Sequence, residues 1–239
     1  MRGAVLRLAT LAVLSILIRP ALAAAPDCFD RGLASAARIQ ACTDVLRRPL
    51  LLPQQKFLAL VIRGGSLYRQ HKFQQAIADY TAAIAIDPQE TDVWTARGNV
   101  YNTLGDFTRA LQDANAALRL APNNPMLLNN RCWLYAAKRE FAAALADCNR
   151  SLAIAPRSAE TLDSRGFTYF LQGRYPQALA DYNAALAIDP KRPSSLYVRG
   201  VLKRKAGDLA GGNAEMREAG KIDPEIAESF APYGLTQAN

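Results

Sequence analysis

Four cysteines are the side chains of this sequence with the most options for chemistry. Cys28 and Cys42 lie 14 residues apart, and Cys132 and Cys148 lie 16 residues apart. Cysteine pairs can bind a metal, carry out thiol exchange or form structural disulfides. The sequence has no Cys-x-x-Cys motif and its single histidine is His71, so these spacings do not fit a zinc site. We therefore expect no metal and no cofactor.

Motifs of known catalytic chemistry are missing from the sequence. There is no G-x-S-x-G, no H-E-x-x-H, and Gly211-Gly212 lacks the Lys-Ser/Thr that would follow in a phosphate-binding loop. Glu160 and Asp163 stand on one predicted helix face, but nothing near them in sequence marks an acid–base pair. We predict that the protein is not an enzyme.

A 34-residue period organises most of the chain. A proline recurs at this interval, at Pro88, Pro122, Pro156, Pro190 and Pro224. An arginine recurs at the same interval, at Arg63, Arg97, Arg131, Arg165 and Arg199. Sixteen residues after each arginine is an acid, namely Asp79, Asp113, Asp147, Asp181 and Glu215. One structural unit is therefore copied five times.

Each copy carries the signals of two helices. We count positions from Phe57, so that the recurrent proline is position 32. Position 15 suits a positive φ that ends a helix, and it holds Gly105, Gly173 and Gly207, with His71 and Arg139 in the other copies. Helix-capping residues follow in register, at Asp106, Asn124, Ser158 and Asp208. Each copy is predicted to be a helix-turn-helix hairpin.

With bulky residues at position 4, small ones at 8 and 20, an aromatic at 17 and proline at 32, the chain resembles the tetratricopeptide repeat family. The resemblance implies an all-α fold, a right-handed α-solenoid of five hairpins, with a degenerate N-terminal hairpin and a C-terminal capping helix. The five copies are residues 57–90, 91–124, 125–158, 159–192 and 193–226. The N-terminal cap and linker occupy 24–56, and the C-terminal cap and tail 227–239.

Residues 1–23 are typical of a secretory signal peptide. Arg2 and Arg7 precede an apolar stretch over 8–18, and Ala21-Leu22-Ala23 fits a cleavage site. We predict export to the periplasm with cleavage after Ala23. An uncleaved membrane anchor is the weaker interpretation because eleven apolar residues are too few to cross a bilayer. No integral membrane segment is expected in the mature chain.

The charge balance gives weak indications of a partner. The formal net charge is +8, and loss of three arginines with the signal peptide leaves +5. The cations are not interleaved with aromatics in a nucleic-acid-binding pattern, so we expect no nucleic-acid partner. An acidic protein or membrane surface stays open as an alternative.

The cysteines fall at positions that favour two disulfides. In the third copy Cys132 and Cys148 occupy positions 8 and 24, which lie near each other in a hairpin turning at about position 15. Cys28 and Cys42 would occupy positions near 10 and 24 of the degenerate N-terminal hairpin. We predict both bonds, with buried free thiols as the alternative. The arrangement resembles exported bacterial repeat proteins with a cysteine-containing N-terminal cap, for which no activity is implied.

Positions 2, 5, 9 and 12 are rotated about 100° from the core stripe at 4, 8 and 11, so they should line a concave groove. Asparagine amides could bond the main chain of an extended peptide, with aromatic rings as apolar anchors. Alternatively, Trp133 packs beside Cys132 and the asparagines are solvated. The predicted peptide-binding residues are Tyr68, Arg69, Asp92, Thr95, Asn99, Asn102, Asn129, Asn130, Trp133, Asp163, Phe167, Phe170, Tyr197 and Arg204.

These features favour a protein–protein interaction scaffold or adaptor in the bacterial cell envelope. The alternative is a periplasmic chaperone-like holdase for unfolded segments. The recurrent arginines and acids are interpreted as stabilising ion pairs, within or between copies. Capture of a terminal carboxylate is disfavoured, because chaperone-binding members of the family have lysine and asparagine where this chain has Val61 and Gly65. The sequence does not specify the partner or the oligomeric state.

Overall fold

The computed structural model describes residues 28–30 and 32–235, and the predicted signal peptide with its cleavage site lies outside these residues. Within the described ranges all regular structure is helical, with twelve α-helices and a short 3-10 helix. The α-helices are α1 Ser35–Leu46, α2 Pro53–Arg69, α3 Phe73–Ile86, α4 Thr91–Thr103, α5 Phe107–Leu120, α6 Pro125–Ala137, α7 Phe141–Ile154, α8 Ala159–Leu171, α9 Tyr175–Ile188, α10 Pro193–Lys205, α11 Leu209–Ile222 and α12 Ile226–Phe230. The 3-10 helix is Ala231–Tyr233.

The repeats form five helix hairpins in the predicted register. The pairs α2/α3 to α10/α11 pack most extensively, and each first helix also packs on the second helix of the preceding repeat. All five residues at position 15 have positive φ, including His71 at 56° and Arg139 at 62°. Position in the repeat therefore overrides the usual preference for glycine. The predicted α-solenoid is confirmed.

Local capping fixes where several helices begin. The side chain of Asp106 accepts a hydrogen bond from the Arg109 amide at 3.0 Å, and Ser158 accepts one from the Thr161 amide at 3.1 Å. Asn124 and Asp208 cap α6 and α11 in the same way. These bonds satisfy amide groups that a helix start otherwise leaves unpaired. All four predicted caps are confirmed.

Small residues let the two helices of a hairpin approach closely. A Cβ atom added to Gly166 would lie 3.2 Å from the Tyr182 ring, and one added to Gly64 would lie 2.9 Å from the Tyr80 ring. In the fifth repeat, a Cβ on Gly200 would lie 2.8 Å from the Met216 side chain. Positions 8 and 24 thus form one contact, which the third repeat fills with cysteines.

The recurrent arginine and acid pair within one repeat. Arg97 donates to the two carboxylate oxygens of Asp113 at 3.0 and 2.8 Å, joining α4 to α5. The same two-bond geometry occurs in the other four pairs, Arg63–Asp79, Arg131–Asp147, Arg165–Asp181 and Arg199–Glu215. Because the acids are largely buried, these pairs contribute more than exposed ion pairs do.

Each of these arginines also bonds to the helix before its repeat. Arg131 donates from Nη1 to Asn115 at 2.8 Å, in addition to its bonds with Asp147. The corresponding acceptors in the chain are Thr43, Thr81, Asn115, Asn149 and Asn183. One guanidinium therefore links three helices. These acceptors were not predicted, although Thr or Asn recurs at the repeat interval from Thr81 to Asn183.

Two disulfides bridge all four cysteines, as predicted. Cys132 on α6 bonds to Cys148 on α7, with Cα atoms 5.5 Å apart. Cys28 bonds to Cys42 on α1, with Cα atoms 4.6 Å apart, and ties the N-terminal turn to that helix. Of the degenerate N-terminal hairpin, the described residues supply its second helix, α1, which packs on α2. Two structural bridges suggest an oxidising, exported environment.

The C-terminal helix α12 contacts α10 and α11, as expected of a cap. Helix α2 begins at Pro53, before the predicted repeat boundary at Phe57, and proline suits a first helical turn. None of the helices in the described ranges is long and apolar enough to cross a membrane.

Candidate functional site

The first helices of the second and third repeats, α4 and α6, enclose an open cleft of about 200 Å³. We call it the asparagine cleft, because four predicted binding residues line it together with Trp133. Its lining is Gly98, Asn99, Asn102, Asn129, Asn130, Trp133, Leu134 and Ser164. The asparagines, Trp133 and Ser164 come from positions 5, 6, 9 and 12 of three successive repeats, so the helical register brings together residues that are far apart in sequence.

Two amide oxygens of the asparagine cleft have no hydrogen-bond donor. The side-chain oxygens of Asn102 and Asn129 are buried, and no donor reaches them from residues 28–30 and 32–235. A buried acceptor without a hydrogen-bond donor lowers the stability of the folded protein by about 1–3 kcal/mol. Such groups are rare in folded proteins and call for an explanation, for example a functional role. Both residues line an open cleft, where rotation of either amide would bring its oxygen within reach of N–H donors on a bound molecule.

Two further predicted residues lie on α4. Thr95 donates its hydroxyl to the Thr91 carbonyl at 3.0 Å and lines a narrow cavity next to the asparagine cleft. Asp92 is exposed in the first turn of α4, where a negative charge favours the helix dipole. Neither interaction requires a ligand.

Tyr68 and Arg69 lie in the first repeat and have internal partners. The Tyr68 hydroxyl is 3.0 Å from the Thr103 hydroxyl on α4, which links the first two repeats. Arg69 donates to Ser66 at 3.1 Å and to Ser35 at 3.4 Å. Arg69 is still exposed, but it does not line the asparagine cleft.

In the fourth and fifth repeats the predicted groove is covered by the C-terminal segment, Ile226–Leu235. Phe167 is 2% exposed, and its ring stacks on Trp133 with centroids 6.5 Å apart. Its other neighbours come from the C-terminal segment: the centroid distances are 5.5 Å to Phe230 and 5.0 Å to Tyr233. Tyr233 also meets Trp133 edge-on at 6.4 Å. The expectation that Phe167 is open to a ligand does not hold in this structure.

Tyr197 is covered by the same segment. Its ring stacks on Phe230 with centroids 5.8 Å apart and it is 1% exposed. Its hydroxyl donates to the Leu235 carbonyl at 3.2 Å, and burial raises the pKa of the phenol. The prediction of an exposed Tyr197 is corrected for the same reason, because the C-terminal segment folds back across the first helices.

Phe170 is buried for a different reason. Its ring lies 5.6 Å from that of Tyr175 at the start of α9, and it is part of the main core cluster. Position 12 stands at the edge of both the groove stripe and the hairpin core, and a ring on the neighbouring helix decides between them. The structure places Phe170 inside the hairpin rather than on the groove surface.

The remaining two predicted residues are engaged with the protein. The Asp163 carboxylate accepts hydrogen bonds from the hydroxyls of Ser194, at 3.0 Å, and Ser195 on α10. Burial raises the pKa of Asp163, and these bonds oppose that shift. Arg204 lies against Gly212 of α11 and lines a separate cleft of about 430 Å³ in the fifth repeat. Neither side chain belongs to the asparagine cleft.

The apolar residues of the C-terminal segment were not predicted to reach the groove. Phe230, Tyr233 and Leu235 lie outside the repeated unit, so the period gives no position to compare. The available signal was the density of apolar residues in a short tail, which the sequence analysis attributed only to capping. Among the described residues no group of three or more His, Cys, Asp or Glu side chains forms a metal site.

Several solved structures share this fold. A tetratricopeptide repeat protein from Parabacteroides merdae is 20% identical, with a TM-score of 0.68 over 86% of this chain and 88% of its own. PilW, described as a widely conserved type IV pilus biogenesis factor, is 21% identical, with a TM-score of 0.62 over 76% and 88%. YrrB, described as a TPR protein with an unusual peptide-binding site, is 18% identical, with a TM-score of 0.53 over 82% and 100%. At sequence identities this low, the structural similarity shows a common fold alone.

The family is assigned by sequence. Tetratricopeptide repeat models match residues 63–125, 103–159 and 133–224, which together extend from Arg63 to Pro224. No curated protein sequence is significantly similar. The matched residues contain the recurrent arginines, acids and prolines whose contacts build the hairpins. The chain belongs to the tetratricopeptide repeat family.

Proposed function

We propose that this protein is an adaptor of the bacterial cell envelope that binds an extended segment of a partner protein in the asparagine cleft. The fold of the family suggests a protein–protein interaction scaffold, and such proteins are generally not enzymes. The observation that carries the proposal is the pair of buried amide oxygens, on Asn102 and Asn129, that lack a donor from the described chain. Asn102 lies on α4 and Asn129 on α6, and both residues line one open cleft.

The chemistry of the asparagine cleft suits a peptide main chain. An extended segment presents N–H and C=O groups at regular intervals, and asparagine amides both donate and accept hydrogen bonds. With their amides rotated toward the cleft, Asn102 and Asn129 would accept from main-chain N–H groups, and the exposed amide of Asn99 can bond a carbonyl. The half-buried Trp133 ring at one end offers an apolar contact for a side chain.

The location in the envelope is supported by two features. All four cysteines form disulfides, and bonds of this kind persist in oxidising compartments. Residues 1–23 have the sequence of a signal peptide, although they lie outside the described residues. The similar fold of PilW, described as a pilus biogenesis factor, and of YrrB, described as having a peptide-binding site, is compatible with a peptide-binding role in assembly.

The test begins with capture of the partner in its own compartment. A photo-crosslinking amino acid at Asn130, which lines the asparagine cleft, would join the bound segment for identification. The purified segment is then titrated against the wild-type protein and the double variant Asn102→Ala, Asn129→Ala. We expect at least a tenfold loss of affinity in the variant, because two buried hydrogen bonds are removed.

The matched control is Gln112→Ala, which removes an exposed amide from the second helix of the same repeat. It should leave affinity unchanged. Equal affinity of the double variant and the wild type would contradict the proposal. Suppression of aggregation of unrelated unfolded proteins, unchanged in the double variant, would favour the chaperone-like holdase instead.

A further inference from the structure

The C-terminal segment, Ile226–Leu235, lies across the first helices of three repeats. Its Phe230 contacts Phe167 of α8 and Tyr197 of α10, and its Tyr233 reaches Trp133 of α6. A simple cap would cover the last hairpin, α10 and α11, and would not extend two repeats back. The segment therefore does more than shield the end of the solenoid.

The three covered rings continue the asparagine cleft. We call Trp133, Phe167 and Tyr197 the aromatic site. Trp133 and Phe167 occupy position 9 of their repeats and Tyr197 occupies position 5. The asparagine cleft uses the same positions, with Asn99 at position 9 and Asn129 at position 5. Trp133 belongs to both surfaces. The C-terminal segment thus lies where a longer bound peptide would continue.

The contacts of the segment show which chemistry the aromatic site accepts. Phe230 lies against two rings, 5.5 Å from Phe167 and 5.8 Å from Tyr197. Leu235 of the segment is also buried, and its carbonyl oxygen accepts a hydrogen bond from the Tyr197 hydroxyl at 3.2 Å. Edge-to-face and stacked pairs of this kind contribute beyond area burial alone.

The outer face of the segment is polar or small. Glu228 and Ser229 are exposed, as are Ala231 and Pro232, whereas Ile226, Phe230 and Leu235 are buried. An α-helix of five residues is not stable alone, so the conformation of α12 depends on the surface beneath it. These properties are those of a short amphipathic peptide bound in a groove.

We propose that the aromatic site is a second peptide-binding site whose resident ligand is the C-terminal segment of the chain. It accepts a partner segment of the same chemistry, with two aromatic residues three positions apart and an apolar residue two positions later, as in Phe230, Tyr233 and Leu235. A partner that extends from the asparagine cleft into the aromatic site displaces the C-terminal segment. The link between the two sites rests on the proposed function, whereas the assignment of the aromatic site can be tested alone.

The experiment uses a fluorescent peptide with the sequence of residues 225–235 and the oxidised full chain. In the wild type a tethered ligand competes at a local concentration in the millimolar range. The double variant Phe230→Ala, Tyr233→Ala removes this competition and leaves the aromatic site intact. We expect the variant to bind the peptide at least about tenfold more tightly than the wild type does.

Two controls sharpen the measurement. The variant Glu228→Ala, Ser229→Ala alters only the exposed side of the segment and should exclude the peptide as the wild type does. A peptide with alanine in place of the phenylalanine and tyrosine should bind neither protein. In a Trp94→Phe background, the emission of Trp133 should shift to longer wavelength in the Phe230→Ala, Tyr233→Ala variant and return when the peptide binds.

The outcomes separate this proposal from the function proposed above. Equal peptide binding by wild type and variant, or binding by neither, would overturn it. Unfolding of the double variant and of the single variant Phe230→Ala, measured by circular dichroism, would also overturn it, because the segment would then be part of the core. Asn102→Ala with Asn129→Ala should not change binding of this peptide, so failure at either site leaves the other proposal standing.

Discussion

The two halves of the groove use the same repeat positions and have opposite surroundings. In the second and third repeats these positions hold asparagines that line an open cleft, with two amide oxygens lacking a donor from the described chain. In the fourth and fifth repeats they hold Phe167 and Tyr197, which the C-terminal segment covers. The fold supplies the same surface in both halves, and side-chain chemistry decides whether the chain itself fills it.

The comparison shows that repeat position alone does not determine exposure. Polar residues gain little from an internal apolar partner and stay at the surface, whereas aromatic residues are driven to bury their rings. The ion pairs of all five repeats keep the helices in the same arrangement on both sides. The difference between the halves is therefore confined to the groove surface.

The largest effect should come from removing the central ring of the closed half. Phe167→Ala takes away the contacts with Trp133, Phe230 and Tyr233. We expect the free energy of unfolding to fall by about 3–5 kcal/mol, as for other buried aromatic residues. Urea denaturation followed by circular dichroism measures it, and Asn99→Ala in the open half is the control with little expected change. A loss below about 1 kcal/mol would show that the ring contacts of Phe167 contribute little to stability.

The boundary between the halves is held by the disulfide of the third repeat. The double variant Cys132→Ala, Cys148→Ala should lose about 3 kcal/mol of unfolding free energy, because the bridge joins residues with a sequence separation of 16 and so restricts the unfolded chain. The variant Cys132→Gly, Cys148→Tyr copies the Gly166–Tyr182 contact of the fourth repeat and should recover part of the loss. Equal stability of both variants would mean that packing of a tyrosine ring on glycine does not replace the stabilising effect of the disulfide.

The open half should respond differently to loss of its amides. Replacing Asn102 and Asn129 together by leucine removes two acceptors without donors, so the free energy of unfolding should stay level or rise by about 1 kcal/mol. Asn115→Ala is the matched control, since its amide oxygen accepts a bond from Arg131 at 2.8 Å. This control should lose about 1–2 kcal/mol. Denaturation of the three proteins under one condition measures the difference, and a loss in the leucine variant would contradict it.

The repeats could be predicted from the sequence because their signals are local and recur. Proline at position 32, the caps and the positive-φ residues act within a few residues of themselves, so His71 and Arg139 could be assigned to turns despite their side chains. The arginine–acid pairs could also be predicted, because both residues recur at the repeat interval. Whether they joined one repeat or two depended on geometry, which spacing alone does not give.

The closed half of the groove could not be predicted, because its contacts involve residues outside the period. The periodicity assigns Phe167 to a groove position, but it contains no information on where Phe230 and Tyr233 lie. The asparagine cleft was predictable as a set of neighbours, since all its predicted members lie within two repeats. Its unpaired oxygens became visible only once the surrounding donors were placed.

The smallest effect concerns a carboxyl group beneath the closed half. Burial raises the pKa of Asp163 above its ordinary value of 3.8, against the opposing bonds from Ser195 and Ser194. Because the folded state favours the protonated form, the stabilising contribution of Asp163 is complete below pH 3.8 and is lost as the pH rises through the raised pKa. Asp163→Asn should therefore be more stable than the wild type at pH 7, with a smaller difference at pH 4.

Glu160 on the same helix provides a control of opposite sign. Its pKa is lowered, first by a backbone hydrogen bond and then by the charge of Arg192, so its contribution is present above its ordinary pKa and is lost as the pH falls. Glu160→Gln should therefore be less stable than the wild type at pH 7, and the difference should shrink at pH 4. Urea denaturation of the three proteins at both pH values measures the signs. A fall in stability of Asp163→Asn at pH 7 would mean that the hydrogen bonds from Ser194 and Ser195 outweigh the cost of burying the carboxylate.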